Sequence, residues 1–314
     1  MIKILGFGCV VWDDISEDPH AKGPQNIGGT IFNTVVHLNR LGNKASIVTA
    51  IGNDDLGSLT IRKMKELGIG LEFVKKVTEP TCLVKVFFGE DGNWSYSMED
   101  RVSWDFISVR AADISRINRY KYKTFFFGTL EQRNIVSREG LIKILKECKF
   151  DTIFFDMNLR PPSYSKEIIE FSLKECTIAK MNMEEAILTN KLFNIKADSI
   201  EEFIVSLRML YSIDKIIITN GMNGAYFSDG DKIGHSSGFL IDMVDTVGAG
   251  DAFSAGLMHK LSEDSSLKEA CDFANKMGAL ICSAKSSIPD YSLEKVYKIC
   301  TIRKGAIAKP FLWP

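Results

Sequence analysis

Asp245-Thr246-Val247-Gly248-Ala249-Gly250-Asp251-Ala252-Phe253-Ser254-Ala255-Gly256 is a turn of small residues that opens a helix. The first backbone N–H groups of a helix have no internal partners. Glycines let an anion come close to that backbone, and the helix dipole adds positive potential. Gly248, Ala249 and Gly250 are therefore predicted to cradle phosphoryl oxygens. Asp251 follows at the helix start, where a carboxylate would repel an anion held for affinity alone. It makes sense as a base that takes the proton of an attacking hydroxyl. In isolation the same residue also reads as a helix cap.

Working outward, short apolar runs rich in β-formers recur at 2–7, 45–51, 123–127, 151–156, 177–181 and 214–219. Helical periodicity appears between most of them, at 30–41, 56–67, 135–147 and 165–174, and again at 251–262, 266–284 and 291–300. This alternation predicts an α/β fold with a doubly wound, mainly parallel central sheet sandwiched by helices. One region breaks the rhythm. Thr81–Phe88 and Trp94–Met98 flank Gly89-Glu90-Asp91-Gly92-Asn93, the pattern of a β-hairpin. A hairpin cannot enter a parallel sheet without a crossover, so it is expected to project as a flap joined by extended residues from 9–27. No Pro/Ser/Gly-rich or single-charge run divides the chain, which gives one domain over 1–314 with a small β lid from about 9–27 and 80–100. There is no internal repeat and no low-complexity tract.

Composition narrows the function. The 314 residues carry 39 Lys and Arg against 40 Asp and Glu, a net charge of −1, so no global field draws a polyanion; neither nucleic-acid nor membrane binding is expected. No apolar run approaches the roughly 20 residues of a membrane span, and Met1–Gly6 lacks a leader pattern, so a cytoplasmic protein is expected. Seven scattered cysteines without a Cys-x-x-Cys pair, and four histidines without i, i+4 spacing, predict reduced thiols and no transition metal. Gly6-Phe7-Gly8 lacks the remainder of a dinucleotide fingerprint, and there is neither a P-loop nor a Gly-x-Ser-x-Gly elbow.

Residues 245–253 resemble the C-terminal signature of the ribokinase-like, or pfkB, family of carbohydrate kinases. Gly28-Gly29-Thr30-Ile31-Phe32-Asn33 resembles its N-terminal Gly-Gly-x-x-x-Asn segment, followed by Leu41-Gly42 and Ile51-Gly52-Asn53-Asp54-Asp55-Leu56-Gly57. Further likeness lies in Phe155–Pro161, Asn182-Met183-Glu184-Glu185, Thr219–Gly224 and Phe273-Ala274-Asn275, so the resemblance covers nearly the whole chain. It implies transfer of the γ-phosphoryl group of Mg-ATP to a hydroxymethyl group of a small sugar. Asp251 is then the catalytic base and the 248–250 amides stabilise charge on the phosphoryl group.

The family's Asn-x-x-Glu falls on Asn182 and Glu185, which implies help in organising Mg2+ and phosphates, Glu185 acting through water; without the resemblance the pair reads as a polar helix start. Thr219, Gly221 and Gly224 would run along the nucleotide phosphates and Asn275 would lie near the adenine. Asp13, beside Asp14, falls where the family holds a carboxylate on paired sugar hydroxyls. Gly28, Gly29 and Asn33 would complete the pocket floor. Asp156, Asn158 and Arg160 belong to a segment common in fructokinases and keto-deoxy-gluconate kinases, Asp156 for the phosphate-metal network and Arg160 for phosphate or an acidic sugar.

Asp245 and Thr246 fall where the family holds a monovalent cation. However, 283–287 lack the glycine with which many relatives complete that site, so the resemblance carries K+ less far than Mg-ATP. Cys9 stands where many relatives carry Glu. Fructose is the acceptor favoured by 12–13 and 155–161. The alternatives are 2-keto-3-deoxygluconate or another acidic sugar, with Arg101 and Arg160 as carboxylate partners, or ribose or a nucleoside; a non-catalytic sugar sensor is the alternative of another class. Family lids often pair between subunits, which makes a homodimer through the lid the expected assembly.

Overall fold

The computed structural model describes residues 2–16, 25–88, 94–230, 232–299 and 313. In chain order its elements begin β1 (Lys3–Phe7), β2 (Val11–Ser16), β3 (Gln25–Gly28), α1 (Thr30–Arg40), β4 (Lys44–Gly52), α2 (Asp55–Glu66), β5 (Val74–Val77), β6 (Leu83–Phe88), β7 (Trp94–Met98), α3 (Ala111–Tyr120) and β8 (Thr124–Phe127). They continue as α4 (Ile135–Glu147), β9 (Thr152–Asp156), α5 (Lys166–Glu175), β10 (Ile178–Asn182), α6 (Met183–Leu192), α7 (Ile200–Tyr211), β11 (Lys215–Thr219), β12 (Ala225–Ser228), β13 (Ile233–Ser236), α8 (Ala249–Leu261), α9 (Leu267–Cys282) and α10 (Leu293–Tyr297).

Nine strands form one sheet in the order β13-β12-β11-β10-β9-β8-β1-β4-β5. From β11 to β5 every pairing is parallel, and β12 and β13 extend the β11 edge antiparallel. Strand alternation sorts side chains to two faces. Phe125, Phe127 and Phe155 join the core under α3–α7, while Phe126 and Phe154 join the one under α1, α2, α8 and α9. Both faces are buried, which is why the strands read as continuous apolar runs rather than alternating ones.

The hairpin does stand apart from the main sheet, in a four-stranded sheet of order β3-β2-β6-β7. Its β2 and β6 are parallel, and the outer pairs are antiparallel. Asp54, the N-cap of α2, fastens the root of this smaller sheet: its carboxylate accepts from the Thr81 N–H (2.7 Å) and hydroxyl (2.7 Å) and from Gly57 N–H (2.6 Å). The expected turn at 89–93 and the residues 17–24 fall outside the described residues. Helix 291–300 is shorter than its periodicity predicts, with only Leu293–Tyr297 helical among the described residues. No helix among the described residues is long and apolar enough to cross a membrane, and the six described cysteines are free thiols.

Candidate active site

The structure brings together the two glycine-bearing signatures, 28–33 and 245–253, in a fold whose parallel strands place ligands at their C-terminal ends. Asn33 and Asp251, 218 positions apart, are joined by Asn33 Nδ2 donating to Asp251 Oδ2 at 2.8 Å. Thr34 Oγ1 adds a 3.3 Å bond to the Asp251 carbonyl. Gly29 permits this entry to α1: its φ is 111°, and a Cβ there would stand 2.8 Å from the Cys9 carbonyl oxygen.

Beside this bond lies a cluster of acceptors. The point a Cβ of Gly28 would occupy is 3.6 Å from Asp13 Oδ2 and 3.8 Å from Asn33 Oδ1. Asn33 Oδ1 is buried and has no hydrogen-bond partner. Oxygens that only accept call for a ligand rich in hydroxyl donors. Burial pushes the Asp13 carboxyl up to about 6. Asp14, next to it, is buried. Asp251 also rises to about 6: burial is the main cause and nearby Asp156 adds to it, against the Asn33 bond and the positive charges of Lys180 and Arg160. A carboxylate poised there accepts a proton near neutrality more readily than an ordinary aspartate.

The helix that carries Asp251 begins at Ala249, after Gly248 in the left-handed region (φ 82°). A Cβ on Gly248 would meet Ser287 Cβ at 2.5 Å. Among the described residues no partner takes the N–H of Gly248, Gly250 or Asp251. Ala249, expected in the cradle, instead donates its N–H to Thr246 O at 3.2 Å, because the turn into the helix closes on itself. The amide set thus loses Ala249 and gains Asp251. Asp245 and Thr246 are exposed just upstream; Asp245 Oδ1 accepts from Val247 N–H at 3.1 Å.

Of the residues expected to serve the nucleotide, Asn182 and Glu185 form a reciprocal helix cap at the β10–α6 junction, each side chain accepting the other's N–H at 2.8 Å. Glu185 also accepts from Leu159 N–H at 2.8 Å, which ties the 157–160 loop to α6. Burial, with the charge of Asp156, raises the Glu185 carboxyl above its usual range. Thr219 ends β11, and Gly221 opens a tight turn to Gly224, whose φ of 89° and close approach to the Ser236 carbonyl exclude a side chain. Asn275 Nδ2 is spent on Ser236 O (3.2 Å), Ser236 Oγ (2.8 Å) and Ser237 O (3.3 Å), so this side chain shapes the wall rather than facing it.

The two arginines part company. Arg160 is exposed after β9 and acts electrostatically on Asp251. Arg101 points to Glu79 (3.4 Å) and lies over the Phe106 ring at 5.3 Å, a surface pairing. Asp156, expected near phosphate and metal, is 1% exposed and is held by Lys180 Nζ (3.1 and 2.9 Å) and Ser254 Oγ (2.8 Å). Asn158 Nδ2 donates to Thr30 Oγ1 at 2.7 Å.

Two buried residues at the site are absent from the sequence reading. Lys180 sits in mid-strand; a cation inside the apolar run Ile178–Met181 was the available signal. Glu131, 2% exposed beyond β8, accepts the Cys9 N–H at 2.8 Å, so that a carboxylate from another segment occupies the surroundings of Cys9. Burial raises the Glu131 carboxyl, against the Cys9 hydrogen bonds.

The profile described as pfkB family carbohydrate kinase matches residues 17–294. The chain is 26% identical over 277 residues to "Probable fructokinase-5" of Arabidopsis thaliana, covering 83% of this chain and 84% of that one. A fructokinase structure with bound ATP from Xylella fastidiosa superposes with a TM-score of 0.83 at 19% identity, over 95% of this chain and 97% of that one. A 2-dehydro-3-deoxygluconokinase structure from Thermotoga maritima gives 0.81 at 17% identity, over 95% and 98%.

Proposed function

The chain belongs to the pfkB family of carbohydrate kinases, and from that premise we propose that it transfers the γ-phosphoryl group of ATP to a hydroxymethyl group of fructose. The observation that carries this reading is the Asn33–Asp251 bond of 2.8 Å, which sets a carboxylate against an acceptor-only pocket next to unpartnered amides. Asp13 Oδ2 and Asn33 Oδ1 accept hydrogen bonds from the sugar's hydroxyl groups. Asp251 takes the proton of the attacking hydroxyl, the new P–O bond forms as the bond to ADP breaks, and the Gly248, Gly250 and Asp251 N–H groups meet the charge on the phosphoryl oxygens.

A neutral acceptor is favoured over an acidic one. Asp13 and Asp251 line the pocket, and of the two cations an acidic sugar would call on, Arg101 is engaged by Glu79 and Arg160 lies exposed with its charge acting on Asp251. The fructokinase names among relatives of 26% identity point the same way. The donor set also fits a magnesium ion brought by the nucleotide. Among the described residues no three His, Cys, Asp or Glu side chains are grouped to hold a metal directly. Asn182 is exposed at the strand end and Glu185 lies one turn behind it, an arrangement for water-mediated contact. Bound there, Mg2+ would neutralise phosphate charge.

The lid sheet ends on β3 and β7 as edges, and we propose that pairing across them makes a homodimer, which sedimentation returning a monomer at micromolar protein would refute. The activity is tested by ADP release with Mg-ATP against fructose, ribose, 2-keto-3-deoxygluconate and nucleosides, with and without K+. Saturable turnover on fructose that is lost in Asp251→Asn supports the reading. Saturable turnover on the acidic sugar alone overturns the assignment of acceptor.

A further inference from the structure

We propose that Lys180 is a positioning residue of the phosphotransfer site: clamped by Asp156, its ammonium braces the first turn of α8 and supplies the buried positive charge that faces Asp251. The inference rests on Asp251 being the base. Lys180 and Asp156 are direct neighbours across the β9–β10 pairing. On both strands the preceding residues of the same face, Ile178 and Phe154, pack in the core under α8.

Lys180 Nζ lies 3.1 and 2.9 Å from the two Asp156 oxygens and 3.5 Å from the Gly250 carbonyl oxygen. A Cβ added to Gly250 would stand 3.3 Å from the same nitrogen. Asp156 Oδ2 in turn accepts from Ser254 Oγ, one helical turn later, at 2.8 Å. Two strands therefore grip α8 on either side of Asp251 through a polar cluster that is almost wholly buried.

An ion pair serving only as a strut is replaceable by apolar packing at little cost. This one has a further consequence, because its two members act with opposite sign on the same neighbour. Asp251 faces Asn33 and Thr34 from α1, Asp156 from β9, Arg160 from the loop beyond β9, Lys180 from β10, and the Cys9 thiol from the loop after β1. Burial works against the Lys180 charge, but Asp156, Glu185 and Asp251 outweigh it, so the ammonium persists. Lys180 thus favours the ionised, proton-accepting form of Asp251, and Asp156 disfavours it.

The test is the pH profile of kcat/KM for the acceptor in four variants, alongside thermal unfolding. Lys180→Gln should move the acid limb upward by about one pH unit, so that kcat/KM at pH 5, relative to its own plateau, falls roughly tenfold further than in the wild type. Asp156→Asn should move the limb downward. The double variant should return it close to the wild-type position and recover much of the melting temperature lost by Lys180→Gln. Lys180→Arg should keep the limb where it is.

Asp13 titrates in the same range, but burial alone raises it, so its share of the limb stays fixed throughout. Single variants that melt earlier yet leave the limb unmoved, or move it in the same direction, reduce Lys180 to a strut and overturn the inference. Full turnover in Asp251→Asn would instead remove the base itself, a failure visible without any Lys180 variant.

Discussion

Replacing Asp251 by Asn should make the protein more stable while disabling it. The Asp251 carboxyl rises from 3.8 to about 6 on folding, so the folded state resists its ionisation. At 1.36 kcal/mol per pH unit, keeping it charged costs at most about 3 kcal/mol. Asp251 is half-buried, and the expected gain on removing the charge is about 1–3 kcal/mol. Asn can turn its Oδ1 toward Asn33 and keep that hydrogen bond. For a carboxyl whose folded pKa is raised, the favourable contribution is complete below pH 3.8 and lost as pH rises through about 6. The gain from Asp251→Asn should therefore be full at pH 8 and fade toward pH 4.5. Urea unfolding of the unliganded protein at pH 8, 7, 6 and 5 measures it, while turnover at pH 8 should drop by roughly 10²–10⁴. A variant no more stable than wild type at pH 8, or a gain that does not shrink on acidification, would refute the electrostatic account of the site.

Other expectations concern separate parts of the machinery. Asp13→Asn should raise the KM for the acceptor by roughly 10- to 100-fold and leave that for ATP within about twofold, as loss of a charged hydrogen bond to hydroxyls implies; steady-state kinetics with each substrate varied decides it. Gly248→Ala combines a φ of 82° with a Cβ 2.5 Å from Ser287 Cβ. It should cost about 1–2 kcal/mol of stability in urea unfolding and at least about tenfold in kcat, with wild-type turnover as the contrary result. His37, lowered from 6.5 to about 4 chiefly by burial and also by Arg40, is held neutral. Its contribution to stability is present above pH 6.5 and lost as pH falls toward 4, by about 3 kcal/mol. His37→Gln should abolish that part of the acid sensitivity, seen by comparing unfolding at pH 7 and 4.5.

The strands of the parallel sheet were readable because burial on both faces leaves apolar runs such as Thr124–Phe127 between turn residues. The separation of the smaller sheet was readable for the opposite reason, since two short strands about an Asp-Gly pair fit no crossover. What a linear pattern cannot carry is which polar groups consume each other. Asn275 is committed to the 236–237 segment, and Arg101 to Glu79, by contacts 38–39 and 22 positions away. The motif names Asn275 and its charge singles out Arg101, but the packing decides what each has left to offer. Lys180 was hidden by its own strand: a lysine among apolar residues reads as a solvated edge until Asp156 on the neighbouring strand is known to stand beside it.

The distance between the two signatures has a mechanical answer in α1. Its first turns hold Asp251 through Asn33 and Thr34. Its last turn holds the segment beyond α9: His37 contacts Ser287 O and Tyr291 Oη, both at 2.9 Å, and Arg40 donates to the Ile288 and Pro289 carbonyls at 2.8 and 2.7 Å. With the Ser287 carbonyl accepting from Nε2–H, neutral His37 can accept a hydrogen bond from the Tyr291 hydroxyl at Nδ1. Ser287 is the residue that leaves Gly248 no room for a side chain. One helix therefore fixes Asp251, the proposed base, directly, and the proposed amide cradle through the 287–291 segment. A glycine pair at its start and the glycine-rich turn at 248–250 are thus tied to the same helix, and a shift at Gly29 should misplace both the proposed proton acceptor and the amides proposed to meet the phosphoryl group.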